Sequence, residues 1–249
     1  MQSKSAVKIR SQCVWSTTGA NVLSRLAASI NSEKIRGFMK ILVACEESQR
    51  VCKAFRAKGH EAYSCDIEFC SGGAPQWHIW DDVTPYLNGG EFLTCDGHKH
   101  NVPRWDMIIA FPPCTYLSKA GSCNLIRNGK INEERLQLGR QAAEFFYKIY
   151  NADCDRIAIE NPVPMKIFSL PEPTQVVEPY MFGVPVSKTT FLWLKGLRRV
   201  CPTNVIEPKY TFNNYPLFKN SFGKYRQKNR SKTFEEFAAA MALTWGDLT

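Results

Sequence analysis

Cys114 stands directly after two prolines, at the end of the run Trp105-Asp106-Met107-Ile108-Ile109-Ala110-Phe111-Pro112-Pro113-Cys114-Thr115. Glu160 closes a second apolar run, Arg156-Ile157-Ala158-Ile159-Glu160-Asn161-Pro162. Both runs read as short buried parallel strands. Proline cannot continue a hydrogen-bonded ladder, so the first strand must stop at Phe111 and turn rigidly. The thiol and the carboxylate then both stand at the carboxyl edge of a sheet, where open α/β folds bind ligands. Together they are the minimum parts for covalent chemistry on a heterocyclic base. A thiolate can add to a ring carbon while a carboxyl group supports the charge that develops on the ring. Ten cysteines are scattered between positions 13 and 201 without a regular framework. With no secretory signal they read as reduced, intracellular thiols, most of them core fillers, and position alone singles out Cys114.

The elements that must position these groups follow a strand-helix alternation. Lys40-Ile41-Leu42-Val43-Ala44 reads as the first strand. Cys45-Glu46-Glu47-Ser48-Gln49 forms a loop in which Ser48 is the expected helix N-cap. Val51, Cys52, Ala54, Phe55 and Lys58 mark a helix stopped by Gly59. The stretch from His60 to Asp66 is a second strand ending in an acid, and Asp66 at that tip could hold ribose hydroxyls. The first turn has no glycine fingerprint. Its Glu46 and Glu47 would repel a pyrophosphate but not a ligand with a sulfonium and an amino-acid end. Trp77 to Val83 is a third short strand bearing Asp81 and Asp82. Cys95, His98 and His100 could ligate a metal, but no second pair stands at ligand spacing, so no metal site is expected. Leu117 to Lys130 reads as a mobile flap. Asn132-Glu133-Glu134 opens the longest helix, running to about Tyr150 on a stripe of Leu136, Ala143, Phe146 and Tyr150. This alternation predicts an α/β fold with a Rossmann-like, doubly wound, mostly parallel sheet.

At 249 residues the chain can bury one good core. No apolar run approaches the roughly 20 residues that span a bilayer. The formal charge of +9 favours a polyanionic partner. Residues 1–38 carry six Lys/Arg against one acid, Glu33, and read as an extension, either disordered or an upstream start on a body beginning at Met39. After the proline-rich stretch 162–185, Lys188 to Leu194 reads as a strand. Residues 187–232 hold eleven Lys/Arg and one acid, Glu207. Tyr210, Phe212, Tyr215, Phe218, Phe222 and Tyr225 are interleaved with them, a pattern suited to phosphate contacts and base stacking. A last helix, Thr233 to Thr244, should pack back on the sheet through Phe234, Phe237, Ala238 and Met241.

Phe111-Pro112-Pro113-Cys114 resembles the Pro-Cys nucleophile motif of the DNA (cytosine-5) methyltransferases, and Glu160-Asn161-Pro162 resembles their Glu-Asn-Val motif. Gly183-Val184-Pro185 followed by Ser187-Lys188-Thr189-Thr190 is similar to the later stretch with its Gln-x-Arg-x-Arg pattern. Over residues 39–245 the chain resembles the short methyltransferase-like proteins of phages and prophages. The resemblance implies the class I S-adenosylmethionine-dependent fold. It divides the chain into a catalytic domain at 39–199, a small basic and aromatic nucleic-acid-contacting region at 200–230 and a closing helix at 231–249. It implies S-adenosylmethionine as cofactor, DNA as substrate partner (duplex with a flipped base, or single strand), and a cytoplasmic setting in a bacterium or infected host. Cys114 would attack C6 of the base, Glu160 would hold the pyrimidine edge with Asn161 beside it, and Lys188 would stand where the first Arg of the later motif falls. Asp66 and Ile67, Asp82 and Val83, Pro112, Glu46 and Ser48 would line the cofactor pocket. The chain departs from the pattern at Ala44-Cys45-Glu46-Glu47-Ser48, at Val186 for Gln and at Thr190 for the second Arg. Two other readings stay open: an enzyme modifying free pyrimidine nucleotides by the same thiol addition, and a nucleic-acid-binding protein with weak catalysis.

Overall fold

A computed structural model of the protein describes residues 37–127, 129–219 and 223–247. The expectation for the amino-terminal extension therefore falls outside the described residues, as do Phe222 and the side chain of Tyr225.

The strands in chain order are β1 (Lys40–Ala44), β2 (Glu61–Asp66), β3 (His78–Trp80), β4 (Gly90–Leu93), β5 (Lys99–Val102), β6 (Met107–Ala110), β7 (Ile126–Arg127), β8 (Lys130–Ile131), β9 (Ile157–Pro162), β10 (Gln175–Val177), β11 (Val186–Ser187), β12 (Thr190–Lys195) and β13 (Tyr210–Thr211). The helices are α1 (Arg50–Ala57), α2 (Glu133–Tyr150), α3 (Pro216–Lys219), α4 (Gly223–Ser231) and α5 (Glu235–Trp245). Seven strands form one sheet in the order β10-β12-β9-β6-β1-β2-β3. Neighbours from β3 to β9 pair parallel, and β12 pairs antiparallel with both β9 and β10. Six of the seven strands thus run the same way and β12 alone is reversed. This is the mixed α/β, largely parallel architecture expected of the strand-helix alternation.

The central strands are buried on both faces, which is why they read as continuous apolar runs. Successive side chains go to opposite faces. Ile41, Val43, Met107 and Ile109 meet Val51 and Phe55 of α1 and Phe237 and Met241 of α5. Leu42, Ile108, Ile157 and Ile159 meet Phe146 and Ile149 of α2 on the other side. Gly59, at φ +90°, ends the first helical segment in the conformation that favours glycine. Asn132 caps α2, its side-chain oxygen accepting from the Arg135 amide at 3.0 Å.

Several local expectations are corrected. The third strand is only His78–Trp80, because short 3-10 turns holding a proline in their first two positions, Pro75–Trp77 and Thr84–Tyr86, flank it. The stretch after Cys114 is a 3-10 segment, Lys119–Asn124, followed by the β7–β8 hairpin rather than an open loop. The proline-rich stretch contains an edge strand, β10, that its three residues were too few to announce. Strand β12 starts at Thr190, so Lys188 lies in the link before it. Among the described residues no helix is long and apolar enough to cross a membrane.

Candidate active site

Parallel strands deliver their ends to one edge. Phe111 still bonds the β1 carbonyl of Ala44 at 3.0 Å, after which Pro112 and Pro113 take the chain off the sheet. The Cys114 carbonyl accepts from the Leu117 and Ser118 amides at 3.2 and 2.9 Å, which folds the next residues into a tight turn and leaves the thiol half-buried above the sheet edge. Burial pushes the thiol above its ordinary range and the Glu160 charge pushes the same way, while Lys188 and Arg230 oppose both. Glu160 is itself raised, by burial first, with Lys188 opposing. The Lys188 ammonium lies 3.9 Å from Glu160 Oε1. The structure thus brings Cys114, Glu160 and Lys188 together, as their sequence positions predict.

Two further groups fix this arrangement. Glu178 accepts from the Lys188 amide at 2.6 Å and from the Thr189 hydroxyl at 2.7 Å, pinning the link that carries Lys188. Glu178 is one of two acids in the proline-rich stretch, with Glu172, and carries no sequence signal of such a role. Phe212 lies under two cations, with Lys188 Nζ and the Arg230 guanidinium 4.8 and 5.0 Å from its ring centre. Asn161 is completely buried, and neither atom of its amide head has a hydrogen-bond partner among the described residues. Its neighbour Glu160 lines a cavity of about 30 Å³ with Lys188, Thr190, Lys232 and Phe234.

The residues expected to meet a cofactor divide into two groups. Asp66 ends β2 with its carboxylate accepting from the Glu68 amide at 2.9 Å, and burial raises it above the ordinary carboxylate range. Ile67 beside it is exposed, and Asp82 at the next strand end accepts from the Thr84 amide at 2.7 Å, hydrogen bonds that hold it below that range. These three line the carboxyl edge. Pro112 is buried in the turn before Cys114, and Val83 is buried in the core beneath α2. Ser48 does not cap α1. That position falls to Gln49 at φ +58°, which has no capping side-chain bond. The helix is capped instead by Glu46, whose two carboxylate oxygens accept from Val51 and Cys52 at 2.6 and 3.1 Å. Glu46 therefore points into the helix end, where burial raises it from 4.5 to about 7 against those same amides.

Glu47, in the same loop, is read from the sequence only as an acid that tolerates a sulfonium ligand, and is not among the residues expected to line the cofactor pocket. It is 8 % exposed, with Lys228 and Lys232 each 3.8 Å from its carboxylate. Cys95, His98 and His100 lie on the β4–β5 hairpin with their imidazoles already engaged: His98 pairs with Asp96 at 2.7 Å, and His100 bonds Tyr63 and Thr94.

No family model matches the chain, and no curated protein matches it in sequence. Among solved structures the chain is similar to the S. pombe Dnmt2 methyltransferase, at 10 % identity and a TM-score of 0.30, over 76 % of this chain. The chain spans 57 % of the length of that protein.

Proposed function

We propose that the protein is an S-adenosylmethionine-dependent methyltransferase that modifies C5 of cytosine in DNA through a covalent adduct with Cys114. The observation that carries this reading is the grouping of Cys114, Glu160 and Lys188 at the carboxyl edge of a largely parallel sheet.

Carbon 5 of a pyrimidine is a poor nucleophile. The Cys114 thiol loses its proton, helped by the positive charge of Lys188 and Arg230, and the sulfur adds to C6. The C5–C6 electron pair moves onto C5, and the ring becomes electron-rich. Glu160, whose burial favours the protonated form, is suited to hand a proton or a hydrogen bond to N3 and so to stabilise that charge. Once C5 carries its new substituent, loss of the C5 proton to a base returns the pair to the ring and breaks the S–C6 bond. The Cys114 thiolate is then regenerated. The base must leave a duplex stack to reach the thiol, which costs a few kcal/mol. Lys188, Arg230 and the aromatic rings around Phe212 can offset that through phosphate and stacking contacts.

The edge also fits the cofactor. Glu47 has a buried oxygen, Oε1, with no hydrogen-bond partner among the described residues, and Asp66 and Glu68 stand close by, so the donor set suits a cation rather than a phosphate. Asp66 and Ile67 would hold the nucleoside end and Glu47 the amino-acid end. When bound, S-adenosylmethionine supplies the methyl group as an electrophile.

A covalent trap tests the proposal. The protein is incubated with 5-fluorocytosine-containing DNA and S-adenosylmethionine beside a Cys114→Ser variant, and the products are resolved by mass under denaturing conditions. A stable complex that needs both Cys114 and the cofactor is the expected result. No complex on duplexes or single strands of varied sequence would overturn it, and a complex with free nucleotides alone would move the substrate to that class.

A further inference from the structure

The acids at the carboxyl edge of β1 and β2 are covered by two lysines from the far end of the chain. Lys228, on α4, lies 2.9 Å from Glu68 and 3.8 Å from Glu47. Lys232, just beyond α4, lies 3.8 Å from Glu47 and donates to the Ser71 hydroxyl at 3.0 Å. Both lysines give their hydrogen bonds to other groups and give Glu47 only charge. Glu47 Oε2 accepts from the Ser71 amide at 3.2 Å, but Oε1 is buried with no hydrogen-bond partner among the described residues. A buried carboxylate oxygen that is neutralised at a distance and given no donor is an incomplete site. The group that would complete it is a compact cation bearing N–H donors.

The same short segment covers the Cys114 side. Arg230 is close enough to bias the Cys114 thiol, and Ser231, Lys232, Thr233 and Phe234 line the cavity that contains Glu160. Lys232 thus stands between the two sides, lining the cavity beside Glu160 and facing Glu47 at 3.8 Å. A nucleic acid that reached this cavity would bring its phosphates to the same segment that carries the two ammonium groups facing Glu47. Phosphate is the competing partner for those ammonium groups, because they lie in the most basic part of the chain.

We propose that Glu47 is the binding site for the ligand's ammonium group, and that Lys228 and Lys232 occupy it as internal stand-ins until nucleic-acid phosphate draws them away. The inference rests on the reading of the edge as an S-adenosylmethionine site. Its consequence is a coupling: each ligand removes the lysines from the other's way, so nucleic acid tightens the adenosyl ligand and, by linkage, the adenosyl ligand tightens nucleic acid to the same degree.

Calorimetry on the full chain with S-adenosylhomocysteine tests this, because that ligand keeps the ammonium group and cannot react. The wild type, Lys228→Ala/Lys232→Ala and Glu47→Gln are compared, each with and without a saturating short cytosine-containing duplex. Without DNA, the double lysine variant should bind about 5- to 10-fold more tightly than wild type, the effect expected of releasing a few partly exposed ion pairs. DNA should tighten the wild type by a similar factor and the double variant hardly at all. Glu47→Gln should weaken binding in every arm, with thermal melts establishing that it is folded. Equal or weaker binding by the lysine variant, or wild-type binding by Glu47→Gln, would overturn the inference while leaving the cofactor reading intact. Failure of the wild type to bind S-adenosylhomocysteine with or without DNA would remove the cofactor reading and the inference with it.

Discussion

Replacing Glu46 by Gln should flatten the fall of stability between pH 5.5 and pH 8. Glu46 is 4 % exposed, and burial raises it from 4.5 to about 7 even though the Val51 and Cys52 amides favour its charged form. A carboxyl raised on folding stabilises the protein fully below its unfolded value, near 4.5. That stability is lost as the pH rises through 7, because the unfolded chain gives up the proton first. With about 1.4 kcal/mol per pKa unit, the loss between pH 5.5 and 8 comes to about 2 kcal/mol. His78 is also buried but lowered, so it acts in the opposite direction at the acid end. The readout is therefore the difference between wild type and variant, not the absolute slope. Urea denaturation at the two pH values measures it, and about 2 kcal/mol is a midpoint shift on the order of 1 M. The wild type should lose that much more than Glu46→Gln over the interval. Parallel pH dependence in the two proteins would refute the reasoning, because Glu46 would then not be titrating in the folded state in this range.

Three shorter predictions concern the rest of the site. Lys188→Met should raise the Cys114 thiol further, since Lys188 opposes the effects of burial and of Glu160, and the pH profile of Cys114 alkylation read by mass spectrometry should move to higher pH; an unmoved or lowered profile would show that Lys188 does not act on the thiol. Asn161→Leu should be neutral or stabilise by about 1 kcal/mol in chemical denaturation, because it exchanges a buried amide with no partner among the described residues for an apolar group of similar size. A destabilised Asn161→Leu protein would mean that the amide has partners in the free enzyme. Gly72→Ala should cost about 1–3 kcal/mol in chemical denaturation, since an added Cβ would lie 2.6 Å from both the Gln49 Cβ and the Ser48 carbonyl oxygen; an unchanged midpoint would show that the loop yields freely.

Much of the site was legible because its signals are local. Two apolar runs closed by prolines suffice to place Cys114 beyond the end of β6 and Glu160 just past the last β6–β9 pair, although β9 itself continues to Pro162 against β12; Ile108–Ile109 and Ile157–Ile159 are buried on the faces that their alternation demands. The capping of α1 was not legible, because Ser48 follows the common rule for an N-cap and Glu46 breaks it by reaching forward from outside the helix. The pairing of Glu47 with Lys228 and Lys232 was illegible for a different reason: the two lysines lie far along the chain, and only the fold sets them beside it. The basic stretch was visible as composition, but composition does not say that part of it lies on acids.

The absent glycine fingerprint is the expectation that the structure most changes in meaning. A glycine-rich first turn serves to reach left-handed backbone and to let chains approach closely. Both demands are still met here, by other residues. Cys45 and Gln49 adopt left-handed φ values of 59° and 58°, at a cost that non-glycine residues bear only where their surroundings hold them. Glu46 ties the loop to α1, and the Gln49 side chain is held by the Ala74 amide and carbonyl at 3.0 and 2.8 Å. The close approach is supplied from across the cleft by Gly72, the residue that leaves room for Gln49. The turn therefore keeps the shape that glycines would give it and gains a carboxylate, Glu47, where a glycine could offer none. A phosphate would find that turn repulsive, whereas a ligand with a positive amino-acid end would find in Glu47 a charged acceptor.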